Sequence, residues 1–143
     1  RAFDKETEAA AVEGYAFKFN SATTIGDHFR EEILPGAADD ILNDDVRALF
    51  NHDPNFVLAR SNKGEGTLQL SIDDIGLKYR YETPDTTFAK DLAENIRLGN
   101  VSQSSFAFNI EEQNWIERDG EVPLRQITKL KSLFDLSLET YPF

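Results

Sequence analysis

Short segments in which apolar and polar residues alternate are the feature of this sequence that most restricts its fold. Residues 67–72 (TLQLSI) and 77–82 (LKYRYE) alternate in this way on either side of the turn-forming residues 73–76 (DDIG). A period of two places every second side chain on one face of a β-strand. Two such segments around a short polar turn predict an antiparallel hairpin.

Similar strand patterns dominate the rest of the chain. We predict further strands at residues 12–20, 46–52, 56–59, 101–110 and 122–143. The fourth of these continues through Trp115 and Ile116. The last is interrupted near residues 128–130, where we expect a bulge or a change of strand.

One segment has the periodicity of an amphipathic helix. Phe88, Leu92 and Ile96 recur four positions apart, which places them on one helical face. Either residue of the Asp-Thr pair at 85–86 can cap the start of this helix. Gly99 follows as a stop signal.

The balance of predicted elements favours a mainly β, α+β fold. Besides the helix above, the composition of residues 37–42 (AADDIL) permits one short helix. Many short strands with one or two helices are typical of a sandwich or a barrel. We therefore expect a closed or nearly closed antiparallel β barrel surrounded by a few helices.

Length and composition limit the domain count and the chemistry. A chain of 143 residues suits one domain, and we predict an N-terminal extension at residues 1–12 before a single domain at residues 13–143. The absence of Cys and the presence of two His exclude thiol catalysis, disulfides and a three-His metal site within one chain. Without a phosphate loop or calcium-loop spacing, no cofactor or metal is predicted.

Charge and hydropathy limit the partners. The net charge of −11 disfavours binding to nucleic-acid phosphates. No apolar run approaches the roughly 18 residues that span a bilayer. Neither nucleic acid nor a membrane is therefore expected as a partner.

A serine and a histidine occur in settings that suit nucleophilic catalysis. His52 ends a predicted strand before a polar turn, whereas His28 lies among charged residues and is expected to be structural or at the surface. Alternation places Ser105 on the opposite strand face from Phe106, with small neighbours that leave room for a substrate. A serine nucleophile needs a nearby base, and His52 is the better candidate. A local turn role for His52 and an ordinary hydroxyl role for Ser105 stay open at this point.

A catalytic histidine usually has a carboxylate that fixes its tautomer. Asp135 interrupts the apolar residues 133–136 (LFDL), where an unpaired buried carboxylate would be costly. Asp53 and Glu139 are the alternative carboxylates. Alternation also allows Asp135 simply to face solvent.

Four segments follow one another along the chain: residues 34–37 (LPGA), 46–53 (VRALFNHD), 102–108 (SQSSFAF) and 134–137 (FDLS). In this order they resemble the prohead maturation proteases of tailed bacteriophages, a family related in fold to the herpesvirus capsid-assembly proteases. The similarity extends from about Glu13 to Pro142. The resemblance implies a herpesvirus-protease-like β barrel with surrounding helices.

The resemblance also implies a serine peptidase. By position in the family's segments, His52 is the general base, Ser105 the nucleophile and Asp135 the third member. The implied role is cleavage of capsid and scaffold proteins, and of itself, inside the immature shell in the bacterial host cytoplasm. Capsid and scaffold proteins are the implied partners, and a homodimer or higher oligomer follows by analogy with the herpesvirus relatives. Candidate oxyanion donors are backbone N–H groups and Arg60, Arg97 or Arg125.

This chain departs from the family pattern at the third triad member and beside the nucleophile. Asp135 stands where Glu is usual, so the acid must shift towards the histidine or act through a water. Gln103 and Ser104 replace a common Gly-Met pair, and Ala59 replaces a Gly before an Arg. These changes leave open a non-catalytic or weakly active component of the procapsid that binds capsid or scaffold protein. A weaker alternative, suggested by the charge, is an acidic module for a basic partner.

Overall fold

The computed structural model describes residues 2–4 and 9–139, which form two β-sheets and one helix. The helix, α1, is Thr87–Arg97. In chain order the strands are β1 (Ala2–Asp4), β2 (Ala9–Lys18), β3 (Thr23–Ile25), β4 (Phe29–Ile33), β5 (Val46–Phe50), β6 (Asp53–Asn62), β7 (Glu65–Gly66), β8 (Gln69–Ile72), β9 (Gly76–Glu82), β10 (Gln103–Ile116) and β11 (Leu124–Glu139).

The first sheet has the strand order β1-β2-β9-β8 and is antiparallel throughout. It contains the predicted hairpin, since β8 pairs with β9 from Gln69↔Arg80 to Ile72↔Leu77. Residues 2–4 and 9–12, assigned above to an N-terminal extension, lie in strands of this sheet. Residues 1 and 5–8 of that extension are outside the described residues.

The second sheet is organised around β11. Its strand order is β3-β4-β11-β5-β6-β7, and β10 pairs with β11 as well. The β10–β11 pair is antiparallel along almost its full length. Residues 124–127 of β11 pair in parallel with β4, and residues 135–138 pair in parallel with β5.

The mainly β prediction is confirmed, but the closed or nearly closed antiparallel barrel is wrong. Both sheets are open, and the second contains parallel pairs. An isolated bridge between Phe19 and Ile33 links the two sheets. Alternation locates strands but gives no information on which strands pair. It therefore did not predict that one long strand, β11, pairs first with β4 and then with β5.

The interruption predicted near residues 128–130 is a set of bulges within one continuous strand. The β10–β11 register skips Thr128, Lys131 and Phe134 on one strand and Glu111 on the other. Bulges bend a strand and increase its twist. They allow β11 to pair with different neighbours along its two halves.

The predicted amphipathic helix is confirmed as α1, with Ala89, Leu92 and Ala93 buried. Thr86 is its N-cap residue, but its side chain makes no capping hydrogen bond. The short helix at residues 37–42 is wrong, because this segment forms turns. The Ala37 carbonyl oxygen accepts a hydrogen bond from the Leu130 N–H of β11 at 2.9 Å. It therefore bonds to a strand instead of to an N–H one helical turn further along the chain.

The hydrophobic core lies between the two sheets and under α1. Phe17 of β2 contacts Phe106 of β10, with ring centroids 4.7 Å apart, and Phe106 stacks on Phe108 at 4.5 Å. The largest fully buried apolar side chains are Tyr79, Ile41, Leu77, Ile127, Leu130, Leu133, Leu136 and Val46. No helix in the described part of the chain is long and apolar enough to cross a membrane.

We predict that Gly76→Ala destabilises the first sheet. A Cβ at Gly76 would lie 2.1 Å from the Phe17 carbonyl oxygen and 2.8 Å from the Lys18 Cα. Because these are backbone atoms, relief requires the strands to separate, and we expect a loss of about 1–3 kcal/mol or more in the free energy of unfolding. Thermal unfolding followed by circular dichroism measures this loss of stability.

The matched control is Ser71→Ala in the same hairpin, where the side chain is exposed. Its Tm is expected to stay near that of the original protein, since exposed substitutions change stability by about 0.5 kcal/mol or less. An unchanged Tm for Gly76→Ala would contradict the close backbone approach.

Candidate active site

A two-residue turn between β5 and β6 holds His52. Phe50 pairs with Asp53, so Asn51 and His52 form the loop, with φ of +51° and +56°. Positive φ at both positions is the requirement of a type I′ turn, whose twist suits a hairpin. Asn and His tolerate this region better than most residues, so the turn forms without glycine.

The structure brings His52 and Asp135 into direct contact. The imidazole Nδ1 lies 2.5 Å from Asp135 Oδ1, and the two side chains are 30% and 16% exposed. Pairing of β11 with β5 runs as far as Leu138↔Phe50, which brings β11 beside the turn. The shorter acid therefore reaches the ring without a bridging water. The Phe134 bulge directly precedes Asp135, and bulges re-aim neighbouring side chains.

Ser137 is a third member of this contact that the sequence analysis missed. Its Oγ accepts the backbone N–H of His52 at 3.0 Å and lies 3.2 Å from His52 Nδ1. The same oxygen lies 3.3 Å from Asp135 Oδ1. Ser137 is 1% exposed. Its position two residues after Asp135 places it on the same strand face, but that spacing alone does not distinguish it from an ordinary strand serine.

Ser105 lies on the neighbouring strand and faces the same side of the sheet. It pairs with Ser137 across the β10–β11 ladder, and Ala107 pairs with Asp135. Cβ atoms of residues directly opposite in such a ladder are about 4.5–5.5 Å apart. The face predicted for Ser105 by alternation is thus the face that carries Asp135. Among the hydrogen bonds of the described residues, His52 contacts Ser137 and not Ser105.

The contact between Ser137 and His52 does not have the geometry of a nucleophile and its base. Ser137 approaches Nδ1, the nitrogen that Asp135 also contacts. In a serine–histidine–acid triad the acid and the nucleophile use different ring nitrogens. Ser137 is also buried, so a substrate would not reach it. Ser105, which is partly exposed, meets the requirement for access.

A buried tyrosine fixes the strand that carries Ser105. The hydroxyl of Tyr79 on β9 lies 2.8 Å from Ser104 Oγ, which joins the first sheet to β10 one residue before Ser105. Burial raises the pKa of Tyr79, so its hydroxyl stays protonated at neutral pH. A Cβ at Gly14 would lie 3.1 Å from that hydroxyl. Ser104, which departs from the family pattern, therefore has a specific partner here.

A cavity of about 810 Å³ lies between β2 and β10. Its lining includes residues 12–18 of β2, residues 101–102 just before β10 and residues 103–106 of β10, with Ser105 among them. Because consecutive residues from both faces of β10 line it, the cavity follows the edge of that strand. Among the described strands, β11 is the one that pairs with β10, which leaves the edge facing the cavity without a strand neighbour.

The alternative acids and the other histidine occupy different settings. Asp53 Oδ1 accepts the N–H of Asn55 at 2.9 Å within a local turn. Glu139 pairs with Gln103 through the ladder, and its side chain is outside the described residues. His28 is exposed on the loop between β3 and β4.

The three candidate oxyanion arginines each bind a carboxylate. Arg60 donates two hydrogen bonds to Asp45, each of 2.7 Å, and this contact lowers the pKa of that carboxyl. Arg97 pairs with Glu94 on α1. Arg125 pairs with Glu31 and stacks over the ring of Phe29, with 5.0 Å from its guanidinium carbon to the ring centroid. In the part of the chain that the structure describes, no group of three or more His, Asp or Glu side chains could hold a metal ion.

The sequence matches the family model of the caudovirus prohead serine protease over residues 1–143. No curated protein and no solved structure matches the chain, so the relation to the herpesvirus proteases stays a prediction. The family match confirms the resemblance that the ordered sequence segments indicated. The chain therefore belongs to the caudovirus prohead serine protease family and is a serine peptidase.

Proposed function

We propose that the chain is an endopeptidase that cleaves capsid and scaffold proteins, and itself, inside the procapsid. The observation that supports this most directly is the contact between His52 and Asp135 on the sheet face that Ser105 shares. The family match supports a protease role in prohead maturation. Beyond that match, we propose the roles of Ser105, His52 and Asp135 and the identity of the substrates.

In the proposed acylation step, Ser105 Oγ attacks the carbonyl carbon of the scissile peptide bond while His52 Nε2 takes the hydroxyl proton. The tetrahedral intermediate collapses as His52 returns that proton to the leaving amine, which departs. Water then attacks the acyl-enzyme, again with His52 as the base. The products are a free carboxylate and the regenerated Ser105 hydroxyl.

Asp135 has two tasks in this mechanism. Its carboxylate accepts a hydrogen bond from the Nδ1–H of His52, which leaves Nε2 as the basic nitrogen. It also stabilises the imidazolium that forms when His52 takes the serine proton. Both tasks require a short direct contact, as the 2.5 Å separation provides.

The cavity along β10 supports a substrate that binds as an extended peptide. A strand edge offers backbone N–H and C=O groups that an added peptide can pair with. Ser105 lies on that strand and lines the cavity, so a peptide paired there would pass the nucleophile. Because Arg60, Arg97 and Arg125 bind carboxylates, we propose backbone N–H groups as the oxyanion donors.

We predict that Ser105→Ala abolishes covalent labelling by an alkyl fluorophosphonate and abolishes peptide cleavage. In the labelling reaction Ser105 Oγ bonds to phosphorus, fluoride leaves and His52 takes the proton. Mass spectrometry of the digested protein locates the label. The matched control is Ser71→Ala, an exposed serine of β8 that does not line this cavity, which is expected to retain labelling and cleavage.

The outcome also separates the proposal from a non-catalytic procapsid component. Such a component would bind capsid or scaffold protein without turnover, would not label, and would be indifferent to His52→Ala. Full cleavage by folded Ser105→Ala, or a label on another serine, would remove Ser105 from the mechanism.

We predict that Asp135→Asn lowers kcat by about 10³–10⁴-fold, the loss expected when the histidine takes the wrong tautomer. Asp135→Glu is expected to lose less, because it keeps the charge but adds a methylene to a contact that is already short. Asp53→Asn, the alternative acid, is the control and should stay near full activity. Steady-state cleavage of a peptide substrate measures all three, and equal losses in the two Asn variants would contradict the role of Asp135.

A further inference from the structure

We propose that Ser137 is a positioning residue that locks the His52 ring and the Asp135 carboxylate into one arrangement. This inference rests on the proposed function and extends it to a residue that the catalytic mechanism does not otherwise use. Ser137 Oγ lies within 3.3 Å of three groups: the His52 backbone N–H, His52 Nδ1 and Asp135 Oδ1.

The hydrogen-bonding capacity of one hydroxyl selects a single pattern. A serine hydroxyl has one proton to donate and two lone pairs. One lone pair accepts the His52 backbone N–H at 3.0 Å. With Nδ1 protonated towards Asp135, the hydroxyl proton goes to Asp135 Oδ1. All three donors are then satisfied, and Nε2 is the basic nitrogen.

The opposite tautomer would break this pattern. If Nε2 carried the ring proton, the Ser137 hydroxyl would have to donate to Nδ1. Asp135 Oδ1 would then lie 2.5 Å from an unprotonated nitrogen, where two lone pairs repel. Ser137 and Asp135 therefore favour the same tautomer, the one that a general base requires.

The backbone bond from Ser137 also supports the conformation of the turn. Non-glycine residues at positive φ cost about 1–3 kcal/mol and persist where surrounding contacts hold them, and Asn51 and His52 are two such residues in succession. The Asn51 N–H donates to the Leu138 carbonyl at 2.9 Å, and the next N–H donates to Ser137. Consecutive residues of β11 thus fasten both loop residues.

Burial makes this support strong. Ser137 is 1% exposed, so water does not replace a lost hydroxyl contact easily. Removing one partner of a buried hydrogen bond leaves the other without compensation. A shift of about 1 Å in a catalytic group costs about 100-fold in rate. Deleting the Ser137 hydroxyl should therefore affect the chemical step.

The test measures the rate at which a fluorophosphonate labels Ser105 in Ser137→Ala at several fluorophosphonate concentrations. The fit gives two quantities: the maximal rate constant and the fluorophosphonate concentration that gives half of it. We expect the rate constant to fall about 10- to 100-fold while the half-saturating concentration changes less than about twofold. Ser137→Thr restores the hydroxyl and is expected to regain most of the rate. Proton NMR follows the low-field Nδ1 proton of His52, which should broaden or shift in Ser137→Ala and persist in Ser137→Thr.

The matched control is Ser61→Ala. Ser61 is also a buried serine, 2% exposed, but it pairs with Val46 at the far end of β5 from the turn. Its removal is expected to lower Tm without changing the labelling rate. A merely structural role for Ser137 would lower Tm in both variants and leave both rates unchanged, which would overturn the inference.

The outcomes for Ser137 and Ser105 are separable. Loss of labelling in Ser105→Ala together with a normal rate in Ser137→Ala would overturn the positioning role alone. Unchanged labelling in Ser105→Ala would remove Ser105 as the nucleophile, and with it the proposed mechanism on which this inference rests. A label found on Ser137 would contradict both.

Discussion

The pairing of β11 with three neighbours is the constraint on which the rest of the structure depends. One edge of β11 carries β10, and the other carries β4 and β5 in succession. This arrangement brings together the strand that holds Ser105, the turn that holds His52 and the strand that itself holds Asp135. Because the bulges bend β11 between its two halves, the same strand completes the second sheet and assembles the candidate site.

The candidate site joins local conformations that are costly or unusual on their own. His52 lies at positive φ in a turn without glycine, and Asp135 is a largely buried carboxylate. The ring proton of His52 satisfies the Asp135 carboxylate. Hydrogen bonds to β11 hold the turn that carries His52. Such mutual dependence is characteristic of functional sites, where local strain is tolerated because surrounding contacts hold it. The open edge of β10 leaves Ser105, the proposed nucleophile, partly exposed beside this contact.

The sequence predicted the elements and faces that depend on local patterns. Alternation located the β8–β9 hairpin and the face of Ser105, and the four-residue spacing located α1. These local patterns did not single out Asp135 as the partner of His52, 83 positions away, because local spacing carries no information on strand partners; the family resemblance implied that pairing. The barrel was wrong for the same reason. Ser137 was missed because a serine in a strand gives no chemical signal until its neighbours in space are known.

The central claim is that Ser105 is the nucleophile activated by His52 and Asp135. A crystal structure of the protein after reaction with an alkyl fluorophosphonate tests it most directly. The account predicts phosphorus bonded to Ser105 Oγ, His52 Nε2 within about 3.2 Å of an adduct oxygen, and Asp135 still on Nδ1. An adduct on another residue, or one on Ser105 with His52 and Asp135 turned away, would contradict it.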